Sequence, residues 1–563
     1  MNTTDWIVLS ASLIFIVLYG VWKGRGSRNI RGYLLSNNDM KWYTITLSVM
    51  ATQASAITFL STPGQAFVDG MRFVQFYLGL PLAMIIISAA AIPLYYKLKV
   101  YTAYEFLENK FDLKTRALAA FLFLIQRGLA AGLTIYAPSI ILSVLLGWNL
   151  FLTNLIIGVL VIIYTAAGGS KAVNWTQFHQ MIIIILGMAA AFFTLIFLLP
   201  DNLSFTDSIR LAGKMGKMNA IDFSFDLNNR YSFWSGIIGG LFLQLSYFGT
   251  DQSQVQRYLT GKSIAQSRLG LLVNGIVKIP MQFFILFMGV MLFVFYQFTP
   301  PPLFFNPVES AKIKNSSHAE EYGKLEKEFK ESFNKNRSSL NSLSEAIKSK
   351  NEMEINSAEW ELKLSRSKVE NIRSQAASLI ENKVTGSNRN DSNYIFLTFV
   401  INYLPAGLIG LVLAAIFAAS MSSTSSEINS LASTSIVDIY KRLIKKEASD
   451  RHYLIVTKAA TVFWGLFAIA FAEFAGGLGT LIEAVNILGS LFYGTILGIF
   501  LTAFFIKRIK GTSVFTAALI AEAAVICCFL FTGISFLWYN AVGCLLVIIL
   551  TLILNPFLTK KIN

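Results

Sequence analysis

Apolar runs of about 20 residues recur along most of this 563-residue chain, and they limit its possible folds more than any other feature. A helix of that length and composition can cross the hydrocarbon core of a bilayer. The short segments of alternating polarity that build membrane β-barrels do not stand out in this sequence. The pattern therefore predicts an all-α polytopic membrane protein.

We expect about 13 transmembrane helices. Residues 1–22 have no basic start and no small-residue cleavage site, so they are interpreted as a first span rather than a signal peptide. The candidate spans are 5–22, 43–64, 74–97, 116–146, 149–167, 175–199, 233–258, 265–298, 405–438, 452–474, 479–506, 512–532 and 536–556.

Basic residues lie mainly on one side of this topology. If loops alternate between sides, one side receives 24 Lys and Arg and the short loops opposite receive five. Lys and Arg concentrate in cytoplasmic loops, so we predict an outside N-terminus, a cytoplasmic C-terminus and a multi-pass location in the cell membrane. The net charge of +15 then requires no nucleic acid. The larger set lies at 23–41, 97–116, 171, 257–268, 441–451, 507–510 and 560–561.

Residues 300–393 break the pattern, with 15 Lys and Arg and 14 Asp and Glu on the predicted outer side. Their apolar residues recur every three or four positions, which predicts an extracytoplasmic helical hairpin reaching two to three turns beyond the membrane. A partly disordered insertion is the alternative. We expect no catalysis there, and no partner for the segment follows from the sequence. The apolar residues are Phe333, Leu340, Leu343, Ile347, Leu362, Val369, Ile372, Ala376 and Leu379.

Two predicted spans contain small and polar residues at mid-depth. Residues 48–59 read SVMATQASAITF, and Pro63-Gly64 is expected to end that helix. In span 233–258, Gly249 precedes five polar residues. Broken membrane helices expose backbone groups to substrates and ions. Each break lies in the first span of a group of five spans, as an inverted repeat requires. The alternative for the first break is close packing of small residues, and the alternative for the second is an early helix end.

Three isolated charged residues, Arg127, Lys278 and Glu522, lie at membrane depth. Such residues pair with one another or face a cavity. Arg127 and Lys278 are candidate partners of a substrate carboxylate. The alternative is a structural ion pair, for instance between Lys278 and Asp251.

Eight Ser and two Thr fall within residues 420–435, directly after the apolar stretch 405–419. On a helix, Ser422, Ser425, Ser426 and Asn429 share one face. Hydroxyls at membrane depth indicate a functional role. The alternative is close helix packing through small residues.

The order of these segments resembles that of the solute:sodium symporter family, whose members carry sugars, sialic acid, proline, iodide, monocarboxylates and vitamins. The chain looks most like the iodide, monocarboxylate, multivitamin and sialic-acid branch. The resemblance implies a LeuT-like 5+5 inverted repeat, with one peripheral helix before it and two after it. The segments that carry the likeness are YEFLENKF at 104–111, IYAPSIIL at 135–142, YTAAGGSKAVNWT at 164–176, GTDQSQVQRY at 249–258 and the Ser-rich helix through 440.

This likeness divides the chain into five parts. They are a peripheral first helix with a basic loop at 1–42, the first repeat and the start of the second at 43–299, the insertion at 300–393, the rest of the second repeat at 394–511, and two peripheral helices at 512–563.

The resemblance also implies one Na⁺ site and no organic cofactor. Its ligands would be the backbone oxygens of Ala51, Ala54 and Ala419 and the hydroxyls of Ser422 and Ser423, an oxygen shell that suits a hard cation.

Some relatives hold a second Na⁺. Ser425 and Ser426 match its hydroxyl ligands, but Gln177 stands where those relatives have Asp. We therefore predict a degenerate second site and the transport of one Na⁺ per solute.

The predicted substrate is a small organic anion, such as a carboxylate or a vitamin. Thr58 replaces a Gln of the sugar carriers, which disfavours a sugar, whereas Lys278 matches a Lys seen in them and keeps Na⁺/sugar symport as the alternative. The candidate substrate residues are Gln53, Ser55, Thr58, Arg127, Thr250, Asp251 and Lys278.

These features predict a Na⁺-coupled secondary active transporter rather than an enzyme, because neither a catalytic cluster nor a nucleotide-binding loop is found in the sequence. A transporter-derived sensor would need a kinase or receiver domain, and the chain ends shortly after its last span. A passive channel would not need two broken helices around an ion site.

Overall fold

The computed structural model describes residues 1–24, 30–201, 203–349, 351–384 and 387–559. Within these ranges the chain is helical, apart from loops and one isolated bridge between Met40 and Gly261. The helices up to residue 298 are α1 Thr3–Gly24, α2 Ile30–Leu35, α3 Trp42–Gln53, α4 Ala56–Asp69, α5 Leu80–Ala89, α6 Ala91–Leu98, α7 Glu105–Lys110, α8 Leu113–Leu146, α9 Leu150–Phe197, α10 Phe205–Lys214, α11 Gly240–Gly249, α12 Gln252–Leu259 and α13 Ile264–Phe298. The later helices are α14 Pro307–Lys314, α15 Ala319–Ser349, α16 Glu352–Lys383, α17 Ile395–Tyr403, α18 Leu408–Thr434, α19 Asp450–Ala472, α20 Leu481–Phe505, α21 Gly511–Phe531 and α22 Phe536–Thr559.

Ten of the described helical segments are long and apolar enough to cross a membrane, which confirms the polytopic helical prediction. Two shorter apolar helices, Leu150–Ala166 and Ser235–Gly249, coincide with two further predicted spans. One of the ten segments, Ala56–Leu98, joins the end of one predicted span to the next. The total of 13 spans therefore stays a prediction.

Not every residue of the charge count can be placed. Arg25, Arg28, Lys560 and Lys561 lie outside the described residues. Arg257, assigned to a cytoplasmic loop, is fully buried and donates to Asn174. The predicted orientation therefore depends on the other basic loop residues.

The break in span 43–64 lies where small and polar residues interrupt it. Helix α3 ends at Gln53, and the backbone of Ala54 leaves the helical region with φ −84° and ψ 75°. Ser55 is extended before α4 begins. The predicted end at Pro63-Gly64 is wrong, because α4 continues to Asp69. Gly64 instead packs directly against the backbone of Ser392, so its missing side chain serves a close approach.

Span 233–258 is broken as well. Helix α11 ends at Gly249, Thr250 has φ −130° and ψ −21°, and Asp251 is extended. The Asp251 carboxylate then caps α12 by accepting from the Ser253 N–H at 2.8 Å. Both predicted breaks are thus present.

Helix α9 contains two predicted spans, 149–167 and 175–199, within one kinked element of 48 residues. The kink lies at Gly169, whose φ of 57° and ψ of −163° are unfavourable for any residue with a side chain. The carbonyl and ring of Tyr33 lie 2.6–2.9 Å from where a Cβ would stand. A tight kink therefore replaces the loop expected between these spans.

The insertion consists mainly of α15 and α16, which pack against each other. They have 31 and 32 residues, or about nine turns each, far more than the two to three turns expected beyond the membrane. A separate apolar cluster that includes Tyr322, Phe329, Ile372 and Ile380 holds them together. Other buried apolar residues of the hairpin belong to the main core cluster, so the insertion packs in part on a core of its own.

Partial burial raises the pKa of Glu309, at the start of the insertion, to about 7. A carboxyl that binds its proton more tightly in the folded state adds stability at low pH, and this contribution is lost as the pH rises through 7. Acidification from about pH 8 to pH 5.5 should therefore raise the melting temperature of the wild type more than that of Glu309→Gln. The exposed control Glu361→Gln should follow the wild type. Identical pH profiles for Glu309→Gln and the wild type would contradict this expectation.

Helix α18 forms the buried centre of the fold. Every residue from Val412 to Thr434 is buried, and the helix packs against α1, α3, α8 and α9. Its hydroxyls therefore face protein rather than lipid. This packing carries the Ser-rich segment past the break between α3 and α4.

Candidate functional site

The Ser-rich helix contacts the first helix break directly. The Ser422 hydroxyl donates to the Ala51 carbonyl at 2.9 Å. Ala51 lies in the last turn of α3, where backbone carbonyls lack partners within the helix. Ala54, one turn further, is fully buried at the break. Two of the predicted Na⁺ ligands, Ala51 of α3 and Ser422 of α18, are therefore in contact.

The Ser423 hydroxyl donates to the backbone of its own helix, one turn earlier. Its hydroxyl lies 3.1 Å from the Ala419 carbonyl and 3.2 Å from the Ser420 carbonyl. Ser422, Ser423 and Ala419 are fully buried. Carbonyl and hydroxyl oxygens on two facing segments are a donor set that suits a hard cation such as Na⁺.

The degenerate second site is filled by the side-chain amide of Gln177. Its nitrogen donates to the Ser426 hydroxyl at 2.7 Å, to the Thr52 hydroxyl at 3.1 Å and to the Ser422 carbonyl at 3.2 Å. These oxygens already surround an N–H donor, so a cation there would have to displace the amide. Ser425 points elsewhere and accepts from the Tyr164 hydroxyl at 2.7 Å.

Arg127 forms a buried ion-pair cluster with two acids. It donates to the carboxylates of Asp251 and Glu427, the latter at 3.0 Å, and to the Tyr493 hydroxyl. The alternative pair of Lys278 with Asp251 is wrong, since Arg127 occupies Asp251. Lys278 is completely buried, and its ammonium forms no hydrogen bond to the rest of the described chain.

A small cavity of about 80 Å³ lies against this cluster. Four of the predicted substrate residues line it: Gln53, Ser55, Thr58 and Arg127. The other three, Thr250, Asp251 and Lys278, are not part of its described wall. The further lining residues include Gln126, Thr134, Gln244, Tyr247, Glu427, Asn486 and Tyr493.

The sequence did not lead us to include Glu427 and Tyr493 among the candidate substrate residues. Glu427 had a usable signal, because it is a lone acid within the Ser-rich helix and an ionisable residue at membrane depth indicates function. Tyr493 had none, since an aromatic residue in an apolar span is ordinary. Only the packing of α20 against α8 and α11 brings its hydroxyl to Arg127.

The sequence profile of the sodium:solute symporter family matches residues 33–321 and 372–521. The match covers most of the chain and leaves out 322–371, which lies within the α15–α16 hairpin. About half of the insertion at 300–393 is thus additional to the family's shared core.

Three curated transporters show the range of relatives. The chain is 29% identical to the sodium/iodide cotransporter of Homo sapiens over 302 residues, covering 53% of this chain and 46% of that protein. It is 26% identical to the sodium-dependent multivitamin transporter of Oryctolagus cuniculus over 518 residues, 90% of this chain and 66% of that protein. It is 25% identical to the sodium-coupled monocarboxylate transporter 1 of Homo sapiens over 499 residues, 88% and 68% of the two chains. These relatives are transporters, not enzymes.

A solved structure of a Na⁺-coupled sialic acid symporter, in a substrate-bound outward-open state, has the same fold. It aligns with a TM-score of 0.76 and 23% identity over 99% of this chain and 98% of that chain. Together with the apolar helices, these matches show a multi-pass transporter of the cell membrane. The chain belongs to the sodium:solute symporter family.

Proposed function

We propose that this protein is a Na⁺-coupled symporter that imports a small organic solute. The observation that carries the proposal is the contact between the Ser422 hydroxyl and the Ala51 carbonyl at the α3/α4 break. Family membership supports Na⁺ as the coupling ion. A Na⁺ held by Ala51, Ala54, Ala419, Ser422 and Ser423 would tie the broken helix to α18, and the cavity begins beside it at Thr52, Gln53 and Ser55.

In this mechanism Na⁺ binding favours the conformation in which the broken helix and α18 are in register for solute binding. The inward Na⁺ gradient then drives solute uptake as one group of helices rocks against the rest of the protein around the site. We assign the core to a 5+5 inverted repeat within 13 spans, with the N-terminus outside, the C-terminus in the cytoplasm and the α15–α16 hairpin outside. The two breaks at corresponding positions, Ala54-Ser55 and Thr250-Asp251, support that assignment.

We further propose that one Na⁺ accompanies each solute, because the Gln177 amide takes the place of a second cation. Replacing Gln177 by Asp would provide acceptors and a negative charge beside Ser426. The Hill slope of uptake against Na⁺ concentration should then rise from about one towards about two. Gln177→Asn, which keeps a neutral amide, should stay near one. A slope near two in the wild type would contradict single coupling.

The proposed solute is an organic anion whose carboxylate binds Arg127. Guanidinium groups bind carboxylates through paired, charge-assisted hydrogen bonds. Arg127 lines the cavity together with Gln53, Ser55 and Thr58. Na⁺/sugar symport is the second candidate, favoured by the three glutamines of the cavity wall, Gln53, Gln126 and Gln244.

A thermal-shift screen of the purified protein tests the solute class. Any ligand that binds the folded state and not the unfolded state raises the melting temperature, and the rise increases with the ratio of ligand concentration to Kd. A carboxylate should shift it only when Na⁺ is present, and potassium chloride at equal ionic strength serves as the control. A shift by sugars alone would favour the second candidate, and shifts that are equal in Na⁺ and K⁺ would contradict Na⁺ coupling.

A further inference from the structure

Asp251 is a fully satisfied partner of Arg127. Its carboxylate accepts from the Ser253 N–H and hydroxyl at 2.8 and 2.6 Å, from the Tyr493 hydroxyl at 3.0 Å and from Arg127. A carboxylate offers about four acceptor positions, so Asp251 has none to spare. It is also absent from the described cavity wall. Asp251 therefore neutralises Arg127 and has no free acceptor position with which to bind the solute.

Glu427 is different. It accepts from Arg127 at 3.0 Å and from the Thr134 hydroxyl at 2.8 Å, which leaves about two acceptor positions free. Its side chain is 5% exposed and lines the cavity. Because Asp251 already balances Arg127, the Glu427 carboxylate gives the cluster a formal net charge of −1.

The rest of the cavity wall carries neutral polar side chains, some of whose hydrogen-bonding atoms have no partner within the described protein. The side-chain carbonyl oxygens of Gln53, Gln126 and Gln244 have no partner within the described protein. Gln126 and Gln244 are 1% and 0% exposed, so their side chains are enclosed in the wall of the cavity. Unsatisfied donors lie in the same wall, namely Arg127 Nε–H and the Gln244 amide. The wall can thus both accept and donate hydrogen bonds, as a solute with an ammonium and a carboxylate group requires.

A purely anionic solute fits this wall poorly, because it would bring a further negative charge into a buried site that already has a surplus. An ammonium group would balance Glu427 and donate three hydrogen bonds. We propose that Glu427 binds the ammonium group of the transported solute, while Arg127 binds its carboxylate. This inference rests on the proposed symport function; it keeps the carboxylate at Arg127 and replaces the organic anion with a zwitterion.

The geometry limits the kind of zwitterion. Arg127 and Glu427 are adjacent, with 3.0 Å between the guanidinium nitrogen and the carboxylate oxygen. The carboxylate and the ammonium that bind to them must therefore lie close together in the solute. The cavity has a volume of about 80 Å³, which suits a small solute in this conformation. Both features point to a small amino acid with neighbouring charged groups rather than a vitamin-sized molecule.

Matched solutes test the proposal. Binding to the purified full-length protein in Na⁺ is measured by thermal shift for glycine, alanine and β-alanine, for acetate and propionate, which lack the amine, and for ethylamine, which lacks the carboxylate. In the wild type, at least one amino acid should bind about tenfold or more tightly than its deaminated counterpart. The variant Glu427→Gln preserves the shape of the side chain and the Arg127–Asp251 pair. In this variant the affinity for the preferred amino acid should fall by about thirtyfold or more. The affinity for propionate should stay constant or rise.

The comparison within the wild type needs no variant, so the proposal stays falsifiable if Glu427→Gln does not fold. Propionate binding as tightly as alanine, with Na⁺ dependence, would overturn the zwitterion and leave the symport of an anion standing. An unchanged preference for the amino acid in Glu427→Gln would overturn the role of Glu427. If no solute, including larger carboxylates, shows Na⁺-dependent binding, the proposed function falls as well.

Discussion

Ser423→Ala is expected to abolish the Na⁺ dependence of solute uptake or to raise the half-saturating Na⁺ concentration by at least about tenfold. The hydroxyl of Ser423 is buried beside the carbonyls of Ala419 and Ser420, and alanine offers no oxygen in its place. Loss of one buried polar partner costs about 1–3 kcal/mol, which corresponds to roughly five- to 150-fold in affinity. The measurement is initial uptake into proteoliposomes across a Na⁺ series.

Ser433→Ala is the matched control for this variant. Ser433 is an equally buried serine on the same helix, and its hydroxyl donates to the Asn429 carbonyl at 2.7 Å. It lies about three turns beyond the proposed Na⁺ ligands, so its loss should change the half-saturating Na⁺ concentration by less than about twofold. Equal losses in both variants would indicate a general packing defect, and wild-type behaviour of Ser423→Ala would remove Ser423 from the site.

Arg127→Met should cause the largest loss of stability among single substitutions in the cavity. It removes the cation that two buried carboxylates share, and breaking a buried ion pair from one side costs about 3–5 kcal/mol. We expect a large fall in melting temperature or yield, together with loss of transport. The triple variant Arg127→Met, Asp251→Asn, Glu427→Gln leaves no unpaired charge, so it should recover stability but not uptake.

The variant Lys278→Met tests whether the loss of stability expected in Arg127→Met would follow the removal of any buried cation. Lys278 is as buried as Arg127, but its ammonium has no partner among the described residues. Replacing an unpaired buried charge with an apolar side chain should leave stability unchanged or increase it. A fall as large as that of Arg127→Met would show that Lys278 has an essential partner and would contradict our description of the cluster.

The backbone of the site was largely predictable from the sequence. A run of small and polar residues at mid-span signals a broken helix, and both breaks lie where this signal placed them. The predicted helix end at Pro63-Gly64 was wrong, because a membrane helix tolerates proline and glycine where a neighbouring backbone packs closely. Here that neighbour is the backbone of Ser392. Glycine-dependent kinks and early helix ends look alike in a sequence, which is why Gly169 was missed as the link between two spans.

The side-chain pairings were not predictable in the same way. Arg127 meets Glu427 across 300 positions of sequence, and the rotation of α8 and α18 about their axes decides that contact. Hydropathy places both residues at membrane depth, but it gives no information on which helix faces which. The sequence therefore suggested Lys278 as an example of a partner for Asp251, whereas the packing of α8 brings Arg127 to it instead.

The central claim is that an inward Na⁺ gradient drives solute accumulation. The most direct test reconstitutes the protein in liposomes and follows the solute with the largest Na⁺-dependent thermal shift. Uptake under an inward NaCl gradient is compared with uptake under an equal choline chloride gradient. We predict transient accumulation above the external concentration with Na⁺ and only equilibration or no uptake with choline. Equal uptake in the two salts would contradict Na⁺-coupled symport.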